Sequence, residues 1–245
     1  MSTNSNKGSA IEEVLPVLPL QEGLLFHASL ADGGTDVYIG QFVLELTGSV
    51  DVGRMRNAVA GLFDRHAGLR LCFRQVRSGE WVQIVQRRVA TPFEVVDLRD
   101  ASDADAELRR LIERERSRGF DVTSGPLARF VLVRSSEDTF RFVVTHHHVL
   151  WDGWSVPVLL RELLALYRGE HLEQAPDFGA LVRNVLGLSG SGRRFWAERL
   201  SGVEPCLVSD GGVDPGQLPG SVTRELTVAA SRGLRDFARR HGVTL

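Results

Sequence analysis

A mixed α/β fold, of the α+β kind in which helices cover a mixed sheet, is what the sequence predicts, and three observations predict it. Strand-like and helix-like segments are interspersed along the chain. Several neighbouring strand-like runs are joined by turn residues as hairpins, which a strict βαβ winding lacks. The third is size: 245 residues, 43% of them hydrophobic and 24% charged, suffice for a substantial core.

Met1 to Ala10 is polar and predicts no structure. Pro19 to His27 reads as a short amphipathic helix with Pro19 in its first turn, ended by Asp32-Gly33-Gly34. Val37 to Leu46 is β-branched and aromatic and reads as a strand despite its internal Gly40. Asp51 then caps a helix with Met55, Val59, Leu62 and Phe63 at helical spacing. Leu69 to Phe73 and Trp81 to Val85 flank the turn residues Arg77-Ser78-Gly79, and Phe93 to Val96 supplies a short further strand.

Ser102 with Asp105 forms a capping-box pattern before Leu108, Leu111 and Ile112, in a helix that stops at Gly119 and whose other face is solvated Arg and Glu. Leu127 to Val133 and Phe140 to His146 make a hairpin across Ser135 to Asp138. Ser155 and Pro157 start a helix through Tyr167, and two more helices are predicted at 178–186 and 193–200. A Gly/Pro/Asp-rich connection at 209–220 leads to a strand at 223–228 and a last helix from Ser231 toward Arg240.

Composition excludes several function classes. With 29 Lys+Arg against 31 Asp+Glu, no global field draws in nucleic acid or an anionic membrane. Lys7 is the only lysine, which reads as coding bias, since the arginines are scattered. Cys72 and Cys206 are far apart, so no disulfide framework is expected. No apolar run reaches membrane-span length and the first ten residues lack the apolar stretch of a secretion signal, so the expected compartment is the cytoplasm. No phosphate loop, CxxC pair, HExxH or GxSxG occurs.

The segment that demands chemistry is Thr145-His146-His147-His148-Val149-Leu150-Trp151-Asp152-Gly153-Trp154-Ser155, between a strong strand and a helix start. Alternation along the strand places Phe140, Phe142, Val144, His146 and His148 on one face and His147 on the other, so adjacent imidazoles cannot share one job. A histidine at a strand end, next to a glycine and ahead of a helix N-terminus, is placed to exchange protons with a ligand. A metal held by His146, His148 and Asp152 is the competing reading, but no second cluster completes a coordination shell, and no metal is expected.

These residues resemble the condensation domains of nonribosomal peptide synthetases, whose signature HHxxxDG is here His147-His148-Val149-Leu150-Trp151-Asp152-Gly153. Two further stretches match in the right order. Leu18 to His27 is similar to the family's "PLQEGMLFH" form, and Arg65-His66-Ala67-Gly68-Leu69-Arg70-Leu71-Cys72-Phe73 to its RHxxLRxxF. Gly125-Pro126-Leu127 and Phe195-Trp196 also fit the family's layout.

The resemblance implies a chloramphenicol-acetyltransferase-like lobe. It implies amide formation between a donor acyl or peptidyl thioester on an upstream carrier protein and an acceptor amine on a downstream one. No cofactor is bound directly; both chains arrive on the carriers' 4'-phosphopantetheine arms. His148 would act on the attacking amine as general base or by positioning it, His147 would be structural, and Gly153 would leave room for the arm. Asp152 would hold the loop by pairing with Arg70 or, second, Arg65. His146, outside the signature, would line the cleft, and Trp151 and Trp154 would pack. "PLQEGLLFH" together with "DGWS" resembles the subtype taking a donor that ends in a D-residue.

Family members are about twice this length, with two lobes and the site between them. Residues 1–14 are therefore expected to be a disordered or tag-like tail and 15–245 an N-terminal lobe without its C-terminal partner, inactive alone and prone to self-association. An epimerization domain and a noncatalytic, partner-recruiting member are the alternatives, with an acyltransferase using free CoA thioesters behind them.

Overall fold

The structure, a computed structural model, describes residues 10–30, 37–204 and 223–245. The chain divides into two compact units, Met1–Asp210 and Gly211–Leu245. The first carries β1 (Ile11–Pro16), α1 (Pro19–Leu30), β2 (Ile39–Thr47), α2 (Val52–Arg65), a 3-10 turn (Ala67–Arg70), β3 (Leu71–Gln75), β4 (Trp81–Gln86) and β5 (Phe93–Asp97). It continues through α3 (Ala104–Ser117), β6 (Ala128–Arg134), β7 (Thr139–His147), α4 (Val156–Arg168) and α5 (Phe178–Arg199). The second unit carries α6 (Val228–His241).

The strands form two sheets. One is antiparallel in the order β1-β4-β3; the other runs β2-β7-β6-β5, with β5 and β6 parallel and the remaining pairs antiparallel. Both expected hairpins form, and Gly79, at φ +88, supplies the left-handed residue of the β3–β4 turn.

Alternation along β6 and β7 sorts the core into layers. Phe130, Leu132, Phe140, Phe142 and Val144 pack under Val59, Leu62 and Phe63 of α2 and Leu159 and Leu163 of α4. Val131, Val133 and Val143, on the opposite face, meet Leu111 of α3. The smaller sheet buries Leu15, Leu71, Phe73 and Val85 against Leu25 of α1 and Val182 of α5. At 0–3% exposure, the rings of Phe130, Phe140 and Phe142 are removed from water, which makes this central pair of strands the rigid base on which β7 ends.

Several local readings need correction. Ile11–Val14 is not tail but strand: β1 is an edge strand held by pairing with β4, a tertiary cause that a polar IEE stretch does not advertise. The predicted strand start at Leu69 is a 3-10 turn, with β3 beginning at Leu71. The cap of α3 is Asp103, whose carboxylate accepts from Ala106 N–H, rather than Ser102. Glu115 leaves the solvated face of α3 and is buried in an ion pair with Arg129 at 2.8 Å. The two helices predicted at 178–186 and 193–200 are the single helix α5. No strand forms at 223–227; Thr227 instead caps α6 by accepting from Ala230 N–H. Asp32-Gly33-Gly34, Cys206 and the 209–220 connection lie outside the described residues.

Candidate active site

Because β7 lies between β2 and β6, its C-terminal end is held from both sides. His146 pairs with Gly40 of β2 and Ala128 of β6, and His147 N–H donates to Leu127 O at 3.0 Å. His148 N–H donates to Tyr38 O at 2.8 Å, extending the ladder one residue beyond the strand. The three imidazoles therefore stand on a fixed backbone and point alternately.

His147 is fully buried, and its Nδ1 accepts from Val149 N–H at 2.9 Å, which assigns it to holding the turn. His148 is exposed. Its Nδ1 lies 3.3 Å from Trp151 O. A carbonyl only accepts, so this contact requires the proton on Nδ1 and leaves the lone pair on Nε2.

His146 does not line a cleft. It is 3% exposed, stacked on the Trp151 indole at 4.4 Å and 20°, and edge-on to His148 at 5.1 Å. Neither of its ring nitrogens has a hydrogen-bond partner among the described residues. Burial, with smaller contributions from His148 and His147, pushes its pKa down to about 3, so it stays neutral.

Asp152 makes no pair with an arginine among the described residues. Its Oδ1 accepts from the N–H groups of Trp154 and Ser155 and from the Ser155 hydroxyl at 3.1–3.2 Å, closing the turn that leads into α4. Arg70 is engaged elsewhere: buried, it donates to Phe63 O, Gln86 O and Glu12, which it holds at 2.7 Å and below the usual carboxylate range. Arg65 donates at 2.7 Å to Glu162, which His66 also contacts at 2.6 Å. Burial pushes Glu162 upward more strongly than any other single influence, yet Arg65 and His66 together hold it below its ordinary value. The two arginines thus tie α2 and the 3-10 turn to β1, β4 and α4. The physical reason the Asp152 pairing fails is competition: each guanidinium already has a carboxylate in reach.

Gly153 is exposed, with no atom within 4 Å of where a Cβ would sit. Trp151 packs as expected, whereas Trp154 is 89% exposed. Beside the turn, a cavity of 360 Å³ opens between Leu69, Trp151, Trp154, Val158, Phe178 and Leu181, with His66 at its wall. No group of three His, Cys, Asp or Glu side chains among the described residues is arranged to hold a metal ion.

Three residues of this site escape a reading of the sequence for chemistry. A Cβ on Gly40 would lie 2.6 Å from His146 Nε2 and 3.2 Å from His148 Nε2, so glycine is needed for the rings to cross β2. A glycine inside an otherwise good strand is the signal. Gln21 and Gln83, both buried, form a strut: Gln21 Nε2 donates to Gln83 Oε1 and to Val149 O, and Gln83 Nε2 donates to Pro16 O at 2.7 Å. The matched stretch around Gln21 thereby grips the residue that follows His148. A glutamine among apolar strand residues is the signal for Gln83.

The chain is similar to known proteins. The family model described as Condensation domain matches residues 11–245. Bacitracin synthase 3 of Bacillus licheniformis is 35% identical over 157 residues, covering 64% of this chain and 2% of that protein. A linear gramicidin synthase of Brevibacillus parabrevis is 34% identical over 250 residues, covering 96% of this chain and 3% of that protein. Among solved structures, the condensation domain from the Monacolin K polyketide synthase MokA superposes with a TM-score of 0.75 at 21% identity, over 96% of this chain and 57% of that one. The chain thus spans a few per cent of these synthetases and about half of that solved chain.

Proposed function

The chain belongs to the condensation-domain family of peptide synthetases, and from that premise we propose that it takes part in amide formation between two carrier-bound substrates. The acceptor amine on a downstream carrier attacks the thioester carbonyl of a donor acyl or peptidyl chain on an upstream carrier. A C–N bond forms, the C–S bond breaks, and the proton released by the amine passes to the departing thiol. His148 acts on that amine. The observation that carries this is its exposed ring, bound through Nδ1 to Trp151 O, which leaves Nε2 as the nitrogen able to accept the amine's proton or hydrogen bond. The open space at Gly153 supports an approach by the 4'-phosphopantetheine arm, and no cofactor of the chain's own is needed.

Ile11–Leu245 is read as the N-terminal lobe, because the chain aligns with about half of a solved condensation-domain chain. A second lobe would complete the substrate channel and part of the carrier docking. Exposed Leu181, Val185, Leu188, Phe195 and Trp196 on α5 support association of the lobe with another surface. The finer reading is a donor ending in a D-residue, supported by the "PLQEGLLFH" and "DGWS" stretches, and the compartment is the cytoplasm.

The test uses the parent synthetase with both carriers loaded, offered donors of either configuration at the terminal residue. Amide product, faster from the D-donor, is the expected result. Cα deuterium exchange on the donor without amide product would instead identify an epimerization domain.

A further inference from the structure

We propose that His146 is a positioning residue, whose ring, stacked on Trp151, holds the Trp151 carbonyl against His148 Nδ1 and so keeps His148 in the tautomer with Nε2 free. The inference rests on the role proposed for His148. Its grounds are geometric. His146 is paired on both sides by backbone, with Gly40 of β2 and Ala128 of β6, so its Cα is held between two neighbouring strands. Its ring lies flat on the Trp151 indole and edge-on to His148, so that it packs against the two residues that share the Nδ1–carbonyl bond.

The nitrogens of His146 have no partner among the described residues, and neither does the buried Trp151 Nε1. The contact between these residues is therefore made by ring faces, not by a hydrogen bond. Buried polar atoms left unpaired cost free energy, which a purely apolar filler would not incur. The ring passes directly over Gly40, where a Cβ would already lie 2.5 Å from its Cε1 atom. Its depressed pKa keeps it uncharged beside His148. The same crowding gives Gly40 a share of the job, since the two Nε2 atoms occupy one space above it.

The experiment reads the tautomer of His148 directly, by nitrogen-15 NMR of the histidine-labelled chain at pH 8, with the resonance assigned through His148→Gln. The wild-type chain should show the Nδ1–H form. His146→Leu, which fills the volume without a stacking face, should give a mixture of tautomers, and His146→Phe, which keeps a ring without nitrogens, should retain the Nδ1–H form. In the parent synthetase, His146→Leu should lower kcat about tenfold with KM for the loaded carriers unchanged, and His146→Phe should recover most of it. A single Nδ1–H tautomer in folded His146→Leu overturns the inference, as does a folded His146→Phe that fails to restore it. Should His148→Ala leave amide formation intact, the function assigned to His148 fails, while the tautomer measurement still decides what His146 does.

Discussion

His146 is the residue whose burial has the clearest solution consequence. Its value of about 3 in the fold compares with 6.5 for a free histidine, so between these limits the unfolded chain binds the proton and the folded chain does not. The stability this neutral ring allows is complete above about pH 7 and is lost as pH falls, by about 2 kcal/mol at pH 5. Glu12 and Glu162, held below their ordinary values, add their own loss only in more acid solution. Urea unfolding at pH 8 and pH 5 should therefore show a drop that His146→Phe removes; an equal drop in both proteins would contradict it. At this scale the histidine signature is legible in the sequence, because its spacing is a covalent fact. The partner of Asp152 is not, since which carboxylate reaches Arg70 and Arg65 first depends on β1 and α4 folding against them.

Elements show the same division between local and tertiary causes. The β6–β7 hairpin, α2 with its Asp51 cap and α4 with Pro157 in its first turn are legible because period, cap and turn chemistry agree. β1 is not, because Ile11–Pro16 forms a strand only once β4 pairs with it and Arg70 and Arg183 meet the carboxylates of Glu12 and Glu13. α5 reads as two helices because Gly187, Gly190 and Gly192 suggest a break. Each such glycine costs only about 1 kcal/mol in a helix, and Val182 buried at its start anchors the rest. The Gln21–Gln83 strut joins α1 and the smaller sheet to Val149. Gln83→Leu leaves Pro16 O and one Gln21 bond unmet, and should destabilise the chain by about 1–3 kcal/mol in urea unfolding. No change in midpoint would show that the strut contributes nothing to holding the turn.

At the scale of the molecule, the larger sheet with α2 and α4 on one face and α3 on the other presents the end of β7 at its rim, where His148 is exposed. The fold class is legible from the interspersed pattern of strands and helices. The two-sheet division is less so, because β1 is needed to complete the smaller sheet. The chain alone should fold cooperatively yet form no amide from loaded carriers, and its exposed α5 side chains should make it associate as concentration rises in sedimentation velocity. Turnover by the isolated chain, or a single monomeric species at high concentration, would count against the half-domain reading.

The most direct measurement is the single-turnover rate of amide formation by the parent synthetase, with both carriers loaded, for wild type and His148→Ala. A loss of about a hundredfold or more, with carrier affinity unchanged, is the result expected if His148 acts on the attacking amine. A rate within twofold of wild type would contradict that assignment.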